Sequence, residues 1–419
     1  MAVKSSGANV NLRLRGTASD GETDINEEIN GEGTGSDISL NTLSTGAGFD
    51  TTDGGHKMSE FFDYSAGASD ARTSGSPSAP TAKWIASSGV NGKIHLSTNN
   101  NPAANSWTSY QLMGSSDYVQ DACWDGFTWV VVGNAGVYQT SNSAGTSGWV
   151  RVSTLQCNTI TPVMGGWIAG RGNSTAMVYS TNITGTVSAS NWTSVGISGY
   201  PSGTQYIFTI LPIKDKLVVG TRKDYSGDSC WHYLDIPDLA QGMDTSVTSW
   251  NTGPSPPWGR SQAYDPDNDN WMFAQRSGGA YRGAVGSSSK TQDKPSFASS
   301  YNENLKFLNG KFWVYYPGVS SIAYKNSYTG SWNNITGLSD AIQGLEWNGS
   351  YYGIGINYAG TYSNAVGGST NGTSWSYIAA NTMGADATNT YIRMFRSGVR
   401  PHYGSWKNLG NSSQATYVF

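Results

Sequence analysis

Cysteine, charge and long apolar runs are all scarce in this chain of 419 residues. The three cysteines, Cys123, Cys157 and Cys230, are odd in number and have no Cys-x-x-Cys spacing, which argues against a disulfide framework and a zinc knuckle. Only 13% of the residues are charged, and the formal net charge is -4. We therefore predict no basic face, and nucleic acid is not an expected partner.

The chain also lacks a run of about 18 apolar residues, which a membrane-spanning helix needs. Its start, MAVKSSGANVNLRLRG, lacks the apolar core of a signal peptide, so we expect no membrane span and folding in a cytoplasm. What the sequence does contain is 53 Gly, 16 Trp and 24 Tyr. Short aromatic strands joined by tight turns produce this mixture. The composition predicts an all-β fold with very little helix.

A repeated pattern from Lys83 onward predicts a β-propeller. Tryptophans preceded by a small or polar residue open the predicted last strand of six repeats, and Phe297 fits the remaining gap; the six are Trp107, Trp149, Trp192, Trp250, Trp332 and Trp375. Their spacing scatters around the period of roughly 40 to 50 residues typical of a four-stranded blade. Seven markers predict a seven-bladed β-propeller, to which we assign residues 82–419.

A second set of markers opens an apolar strand earlier in each repeat: Trp84, Trp129, Trp167, Leu217, Trp271, Trp313 and Tyr352. Asp125-Gly126, Asn309-Gly310 and Asn348-Gly349 predict two-residue type I′ turns between the first two strands of a blade. The first repeat lacks an opening strand, whereas residues 390–398, TYIRMFRSG, form an unclaimed one. We predict that this C-terminal strand completes the first blade and closes the ring.

The polar loop at residues 369–375 reads Ser-Thr-Asn-Gly-Thr-Ser-Trp. It resembles the Asp-box turn of sialidase-like propellers, Ser-x-Asp-x-Gly-x-x-Trp, with Asn371 in place of Asp and one residue fewer. Looser copies occur at residues 97–107 and 141–149. The resemblance covers most of residues 83–398. It implies a propeller architecture and carries no chemistry.

Residues 37–67 read DISLNTLSTGAGFDTTDGGHKMSEFFDYSAG. This stretch resembles a segment near the start of many tailed-phage virion proteins, where an ISL strand precedes MSEFYGY. The resemblance implies an extended, β-rich docking segment at residues 1–64, followed by a Ser/Gly/Ala/Pro-rich linker at residues 65–81. The predicted docking side chains are Ile38, Leu40, His56, Met58, Phe61, Phe62 and Tyr64.

The sequence offers little support for catalysis. The Arg-Ile-Pro element that precedes the first Asp box of sialidases is missing, and most of the propeller arginines follow no shared strand position: Arg151, Arg171, Arg222, Arg260, Arg276 and Arg393. We therefore predict no three arginines around one substrate carboxylate. Four histidines share no ligand spacing, and no nucleophile elbow or phosphate loop is present. We predict no catalytic residue, no cofactor and no enzyme.

One acidic loop, residues 265–270, alternates carboxylates as a calcium loop does. It lacks the Gly at the sixth position and the Glu at the twelfth, so we predict an Asp/Asn turn between two strands and no metal site. The surplus of aromatic residues suits stacking platforms for sugars. The two loop candidates for glycan stacking are Trp258 and Tyr281.

These observations favour a structural component of a tailed-phage virion. In this hypothesis the N-terminal segment docks on other virion proteins in the tail or baseplate, and the propeller projects outward, where a host-surface glycan is a candidate ligand. The alternative is a sialidase-like propeller glycosidase acting on host polysaccharide, and a cellular assembly-factor scaffold is a third. No coiled-coil heptads specify an oligomeric symmetry, so monomer and homo-oligomer both stay open.

Overall fold

A computed structural model describes residues 79–398, apart from residues 90, 125–127, 164–165, 173–176, 181–191, 196–203, 214–215, 224–230, 236–250, 253–258, 267, 276–278, 286, 288, 297–303, 317–318, 340, 358–363 and 384–391. Within this part the chain is built of strands, with a 3-10 turn at Ala380–Met383. No helix in the described part is long and apolar enough to cross a membrane. The all-β prediction is confirmed there.

The strands follow one another in groups. The first group is β1 (Trp84–Ser88), β2 (Lys93–Ser97) and β3 (Trp107–Gln111). The second and third are β4 (Val119–Trp124), β5 (Trp129–Gly133), β6 (Gly136–Thr140), β7 (Val150–Ser153), β8 (Cys157–Val163), β9 (Gly166–Arg171), β10 (Met177–Ser180) and β11 (Thr193–Val195). The fourth and fifth are β12 (Thr204–Ile213), β13 (Lys216–Lys223), β14 (Trp231–Asp235), β15 (Asn251–Thr252), β16 (Gly259–Asp265), β17 (Asn270–Gln275), β18 (Gly279–Gly283) and β19 (Lys290–Gln292). The last strands are β20 (Asn304–Leu308), β21 (Lys311–Tyr315), β22 (Ile322–Lys325), β23 (Asn333–Ile335), β24 (Ala341–Trp347), β25 (Tyr352–Asn357), β26 (Asn364–Ser369), β27 (Ser376–Ala379) and β28 (Ile392–Ser397).

These strands form antiparallel sheets of four, and the described part contains seven of them. Six sheets each use four consecutive strands, from β4–β7 to β24–β27. The remaining sheet has the order β28-β1-β2-β3, with Trp84 opposite Ser397. The predicted closure by a C-terminal strand is therefore confirmed. The first strands of the sheets contact one another in the cyclic order β28, β4, β8, β12, β16, β20, β24 and again β28, which is a β-propeller.

The second strand of each propeller sheet carries one of the predicted markers. In the first sheet the second strand is β1, because β28 is the innermost strand of that sheet. All seven markers from Trp84 to Tyr352 are buried. They pack between neighbouring sheets: Trp84 stacks on Phe395 of its own sheet, with ring centroids 5.3 Å apart, and both belong to a buried cluster with Ala365 and Val366 of the adjacent sheet. A Cβ atom on Gly353 of the adjacent sheet would lie only 2.7 Å from the Trp84 ring, so this contact requires glycine.

The tryptophan markers of the outer strands are largely confirmed. Trp107 opens β3, and Trp149, Trp192, Trp332 and Trp375 each immediately precede a last strand. The marker Phe297 is wrong. The last strand of that sheet is β19 at Lys290–Gln292, where Gln292 pairs with Tyr281. The connection between β18 and β19 is short, so the outer strand comes earlier than the average period predicts.

The predicted hairpin turns differ in length. Asn309 and Gly310 have φ angles of 50° and 70°, and they join the paired residues Leu308 and Lys311, which confirms a two-residue turn. The turn at Asn348 spans residues 348–351 instead, because its Oδ1 atom accepts hydrogen bonds from the backbone of Ser350 and Tyr351. Asp125-Gly126 lies outside the described residues.

The turn before β27 is held by side chain to backbone hydrogen bonds. The Asn371 Oδ1 atom accepts bonds from the N–H groups of Thr373 and Ser374 at 2.8 and 2.9 Å. The Trp375 indole donates to the Gly372 carbonyl at 3.1 Å. Gly372 has a φ of 78°, and a Cβ there would lie 2.5 Å from Trp313 of the preceding sheet. The turn therefore also packs two sheets together.

Candidate functional site

The inner strands surround a central cavity of about 130 Å³. Residues from β4, β8, β12, β16, β20, β24 and β28 line it, so every sheet of the described propeller contributes. Its lining is rich in polar side chains, and four of them carry charge: Asp121, Lys306, Glu346 and Arg396. Two positive and two negative groups make this set neutral.

Arg396 is the centre of an ion-pair network in this cavity. Its Nε atom lies 2.7 Å from Asp121 Oδ1, and its Nη1 atom lies 3.6 Å from Glu346 Oε1. Lys306 Nζ lies 2.8 Å from the same Glu346 oxygen. Burial alone would lower the pKa of Arg396, but the two carboxylates raise it above its ordinary value. Burial also raises the pKa of the neighbouring Tyr315 hydroxyl.

The network links sheets that are distant in sequence. Arg396 belongs to the sheet of the closing strand, and it reaches into both neighbouring sheets. Asp121 also accepts bonds from Thr159 Oγ1 at 3.2 Å and from the Ile160 N–H at 3.1 Å, which adds the next sheet. The side chains of Asp121 and Glu346 are only 3% and 2% exposed. The network is therefore a structural lock between sheets, and neither carboxylate presents a free face to the cavity.

Further polar links join the sheets on the other side of the cavity. Gln262 donates to the Val218 carbonyl at 2.9 Å and accepts from the Trp271 indole at 3.2 Å. The Ser261 hydroxyl accepts from the Leu305 N–H at 2.8 Å. Buried polar groups are costly unless they are hydrogen-bonded. The inner strands thus use these polar side chains to hold neighbouring sheets in register.

A second buried cation lies between the sheets β16–β19 and β20–β23. Lys325 is fully buried, and its ammonium group contacts the Asp293 carboxylate and lies 5.0 Å from the Trp332 ring centroid. Arg282 pairs with the same carboxylate at 2.7 Å, and Trp332 donates to it at 2.7 Å. Burial lowers the pKa of Lys325 despite the favourable carboxylate. This arrangement fastens two sheets at their outer strands.

The predicted site residues have different outcomes. The seven docking residues, from Ile38 to Tyr64, and the stacking candidate Trp258 lie outside the described residues. Tyr281 lies in β18, where its ring stacks on Phe273 at 5.8 Å and the Lys290 ammonium lies 4.9 Å from its centroid. Both neighbours belong to the same sheet. A role for Tyr281 in glycan stacking stays a prediction.

The acidic loop after β16 is the turn that was predicted. Asp265 pairs with Asn270 across the β16–β17 hairpin. The Asp265 carboxylate accepts a bond from Asn268 Nδ2 at 2.9 Å, and Asp269 Oδ1 accepts one from the Tyr264 hydroxyl at 3.0 Å. Asp269 has a φ of 54°, a conformation that Asp tolerates in tight turns. These carboxylates are engaged within the hairpin.

Four of the six propeller arginines named from the sequence lie at one end of their sheets, although they do not share one strand position. We call the end of the propeller where the inner strands begin the entry end. Arg260 and Arg393 are the second residues of inner strands. Arg171 and Arg222 lie at the far ends of second strands, opposite the starts of β8 and β12. Antiparallel pairing therefore places all four at the entry end. Arg171 and Arg222 also follow their markers, Trp167 and Leu217, by four and five residues, so their common end can be recognised in the sequence.

No family model and no curated protein matches this sequence. Solved structures that are similar include YCF48 from Cyanidioschyzon merolae, with 11% identity, a TM-score of 0.48, and coverage of 67% of this chain and 89% of that one. YCF48 bound to D1 peptide has 12% identity, a TM-score of 0.47, and coverage of 66% and 91%. A chain of a mitotic checkpoint complex has 11% identity, a TM-score of 0.46, and coverage of 65% and 83%.

Proposed function

We propose that this chain is a structural component of a tailed-phage virion, located in the tail or baseplate region. Residues 1–64 dock on other virion proteins, residues 65–81 form a linker, and the propeller projects outward. The observation that carries the proposal is the segment at residues 37–67, with ISL at 38–40 and MSEFFDY at 58–64. It resembles the docking segment of such proteins.

The architecture suits a displayed attachment domain. We infer that each four-stranded sheet is one blade of a seven-bladed ring, and that the turn around Asn371 is an Asp-box relative in which Asn replaces Asp. The charged groups inside the ring are used to hold blades together. The exposed ends and outer faces of the ring are thus the surfaces that remain for recognition, and we infer a host-surface glycan as the candidate ligand.

The test is to determine where the protein lies in purified particles. Mass spectrometry of gradient-purified phage should detect the chain, and antibodies against the propeller should label the tail end in electron micrographs. A truncated chain without residues 1–64 should fold but should be missing from particles. Absence of the full chain from particles contradicts the proposal.

The glycosidase alternative rests on Asp121 and Glu346, which both contact Arg396 in the central cavity. A propeller glycosidase needs two carboxyl groups that face the substrate, about 5 to 10 Å apart. The near-complete burial of both side chains counts against this role. Loss of polysaccharide hydrolysis in Glu346→Gln, with hydrolysis present in the unaltered chain, would favour the enzyme instead.

A further inference from the structure

Three side chains form a connected cluster at the entry end, and Arg171 lies beside them through the backbone. The Arg393 guanidinium lies 4.0 Å from the centroid of the Tyr118 ring. The Tyr118 hydroxyl accepts a hydrogen bond from Gln156 Nε2 at 3.3 Å. The Gly172 N–H donates to the Gln156 carbonyl at 3.1 Å, which brings the end of β9 and its Arg171 beside the cluster. Side chains from three consecutive sheets therefore converge here.

The cluster retains hydrogen-bonding capacity. The Arg393 Nε atom is buried and has no hydrogen-bond partner among the described residues. Stacking on Tyr118 uses the face of the guanidinium, and its N–H groups lie in the plane of the group, where they match the geometry of a carboxylate. Tyr118, Gln156, Arg171 and Arg393 are all partly exposed. A ligand at this end can therefore reach them.

The local charge is positive although the chain is acidic as a whole, with a net charge of -4. Asp117 is a described acidic residue at this position, and its two carboxylate oxygens accept bonds from the Gly114 N–H and from Asn134 Nδ2. By strand register, Arg222, Lys223 and Arg260 lie at the same end in the neighbouring sheets. These basic residues thus share the entry end of the strands with Arg171 and Arg393.

We propose that the entry end binds an acidic saccharide, with Arg393 and Arg171 receiving its carboxylates and Tyr118 and Gln156 contacting its sugar rings. This inference rests on the proposed attachment function and specifies the ligand class. Arginines paired with an aromatic ring and an amide suit a carboxylated sugar, because such a ligand offers carboxylates, hydroxyls and an apolar ring face together. The overall negative charge disfavours a nucleic acid, which needs many phosphate contacts.

The test is binding of the full chain to carboxylated oligosaccharides by isothermal titration calorimetry. The probes are alginate, polygalacturonate and sialylated oligosaccharides, each compared with its carboxyl-reduced counterpart. Arg393→Gln and Arg171→Gln should each weaken binding about tenfold or more, because a charge-assisted hydrogen bond is lost. Arg393→Lys keeps the charge but loses the planar fork, and it should give an intermediate loss.

Lys311→Gln is the matched control. Lys311 also lies over an aromatic ring, 4.7 Å from the Tyr324 centroid, but it opens β21 at the opposite end of the propeller. This variant should bind as the unaltered chain does, and all variants should retain their unfolding temperature. Equal loss in Lys311→Gln, or equal binding to carboxyl-reduced sugars, overturns the inference.

The outcome is separable from that of the proposed function. Tail-end labelling together with no binding to any carboxylated probe overturns the saccharide site and leaves the virion proposal standing. Binding that requires Arg393, in a chain that is absent from particles, supports the saccharide site and contradicts the virion proposal. Binding to dextran sulfate as tight as to alginate shows a general polyanion surface and overturns the specific assignment to carboxylates.

Discussion

Replacement of Arg396 by methionine tests whether the central ion-pair network locks the propeller. The substitution retains much of the side-chain length and removes the guanidinium that touches both Asp121 and Glu346. Glu346 keeps Lys306 at 2.8 Å, so it remains neutralised. Asp121 keeps neutral donors, among them the Thr159 hydroxyl and the N–H groups of Ala122 and Ile160. One buried carboxylate is left without a nearby cation of this network.

The magnitude follows from the burial of Asp121. Removing one partner of a buried ion pair costs about 3 to 5 kcal/mol, because the other charge stays desolvated. Asp121 is only 3% exposed, so water cannot replace the guanidinium. Its neutral donors offset part of the cost, so we expect the lower end of this range, about 3 kcal/mol. A loss of this size is a large fraction of the total free energy of unfolding of a domain.

The assay is equilibrium unfolding in urea, followed by tryptophan fluorescence, with Lys311→Met as the control. Lys311 contributes only a cation–π contact with Tyr324, so its removal should cost no more than about 1 kcal/mol. Asp121→Asn in the Arg396→Met background should recover stability, which gives a coupling energy in a double-mutant cycle. A loss of less than about 1 kcal/mol in Arg396→Met, or no coupling, would refute the lock.

Three further predictions concern the packing between sheets. Gly353→Ala should lower stability by about 1 to 3 kcal/mol in thermal unfolding, because the added Cβ lies 2.7 Å from Trp84 and 2.8 Å from Phe395; an unchanged melting temperature contradicts the contact. Asn371→Ala should cost about 1 to 2 kcal/mol, while Asn371→Asp should keep most of the stability, since a carboxylate accepts the same backbone bonds. Burial raises the pKa of Cys157 from 9.0 to about 12, so the contribution of the buried thiol to stability is complete below pH 9 and is lost as the pH rises toward 12. Between pH 8 and pH 10.5 the unaltered chain should therefore lose about 2 kcal/mol of stability relative to Cys157→Val. Parallel profiles of stability against pH for the two proteins count against this.

The sequence best predicts those strands whose buried side chains recur in every repeat. The seven markers from Trp84 to Tyr352 occupy equivalent positions in seven sheets because each must fill the space between two sheets, and this packing requirement recurs in every repeat. The Phe297 marker is wrong because no such packing requirement fixes the position of the outer strand in its sheet. The outer strand β19 has only three residues, and its position is set by the length of one loop. A period averaged over the other repeats cannot give that length.

The polar sites are harder to predict because their partners are remote. Arg396 and Asp121 are 275 residues apart in sequence, and only the closure of the ring brings them together. Nothing in the local pattern of β28 distinguishes Arg396 from a solvent-facing arginine. The entry-end cluster has the same origin, since Arg393, Tyr118 and Arg171 belong to three sheets. The place of Arg171 follows from its marker Trp167, four residues earlier, but the contact between Arg393 and Tyr118 exists only once the ring is closed.

A propeller of this kind separates stability from recognition along the chain. The apolar markers and the buried ion pairs recur inside and between the sheets, where any change affects the ring as a whole. The partly exposed arginines stand at strand ends, where a substitution leaves the packing of the sheets intact. In the proposed attachment role, the residues of the entry end can therefore change while the ring persists, which suits a protein that faces a variable surface. If Arg393→Gln destabilised the fold as much as Arg396→Met, this separation would not exist.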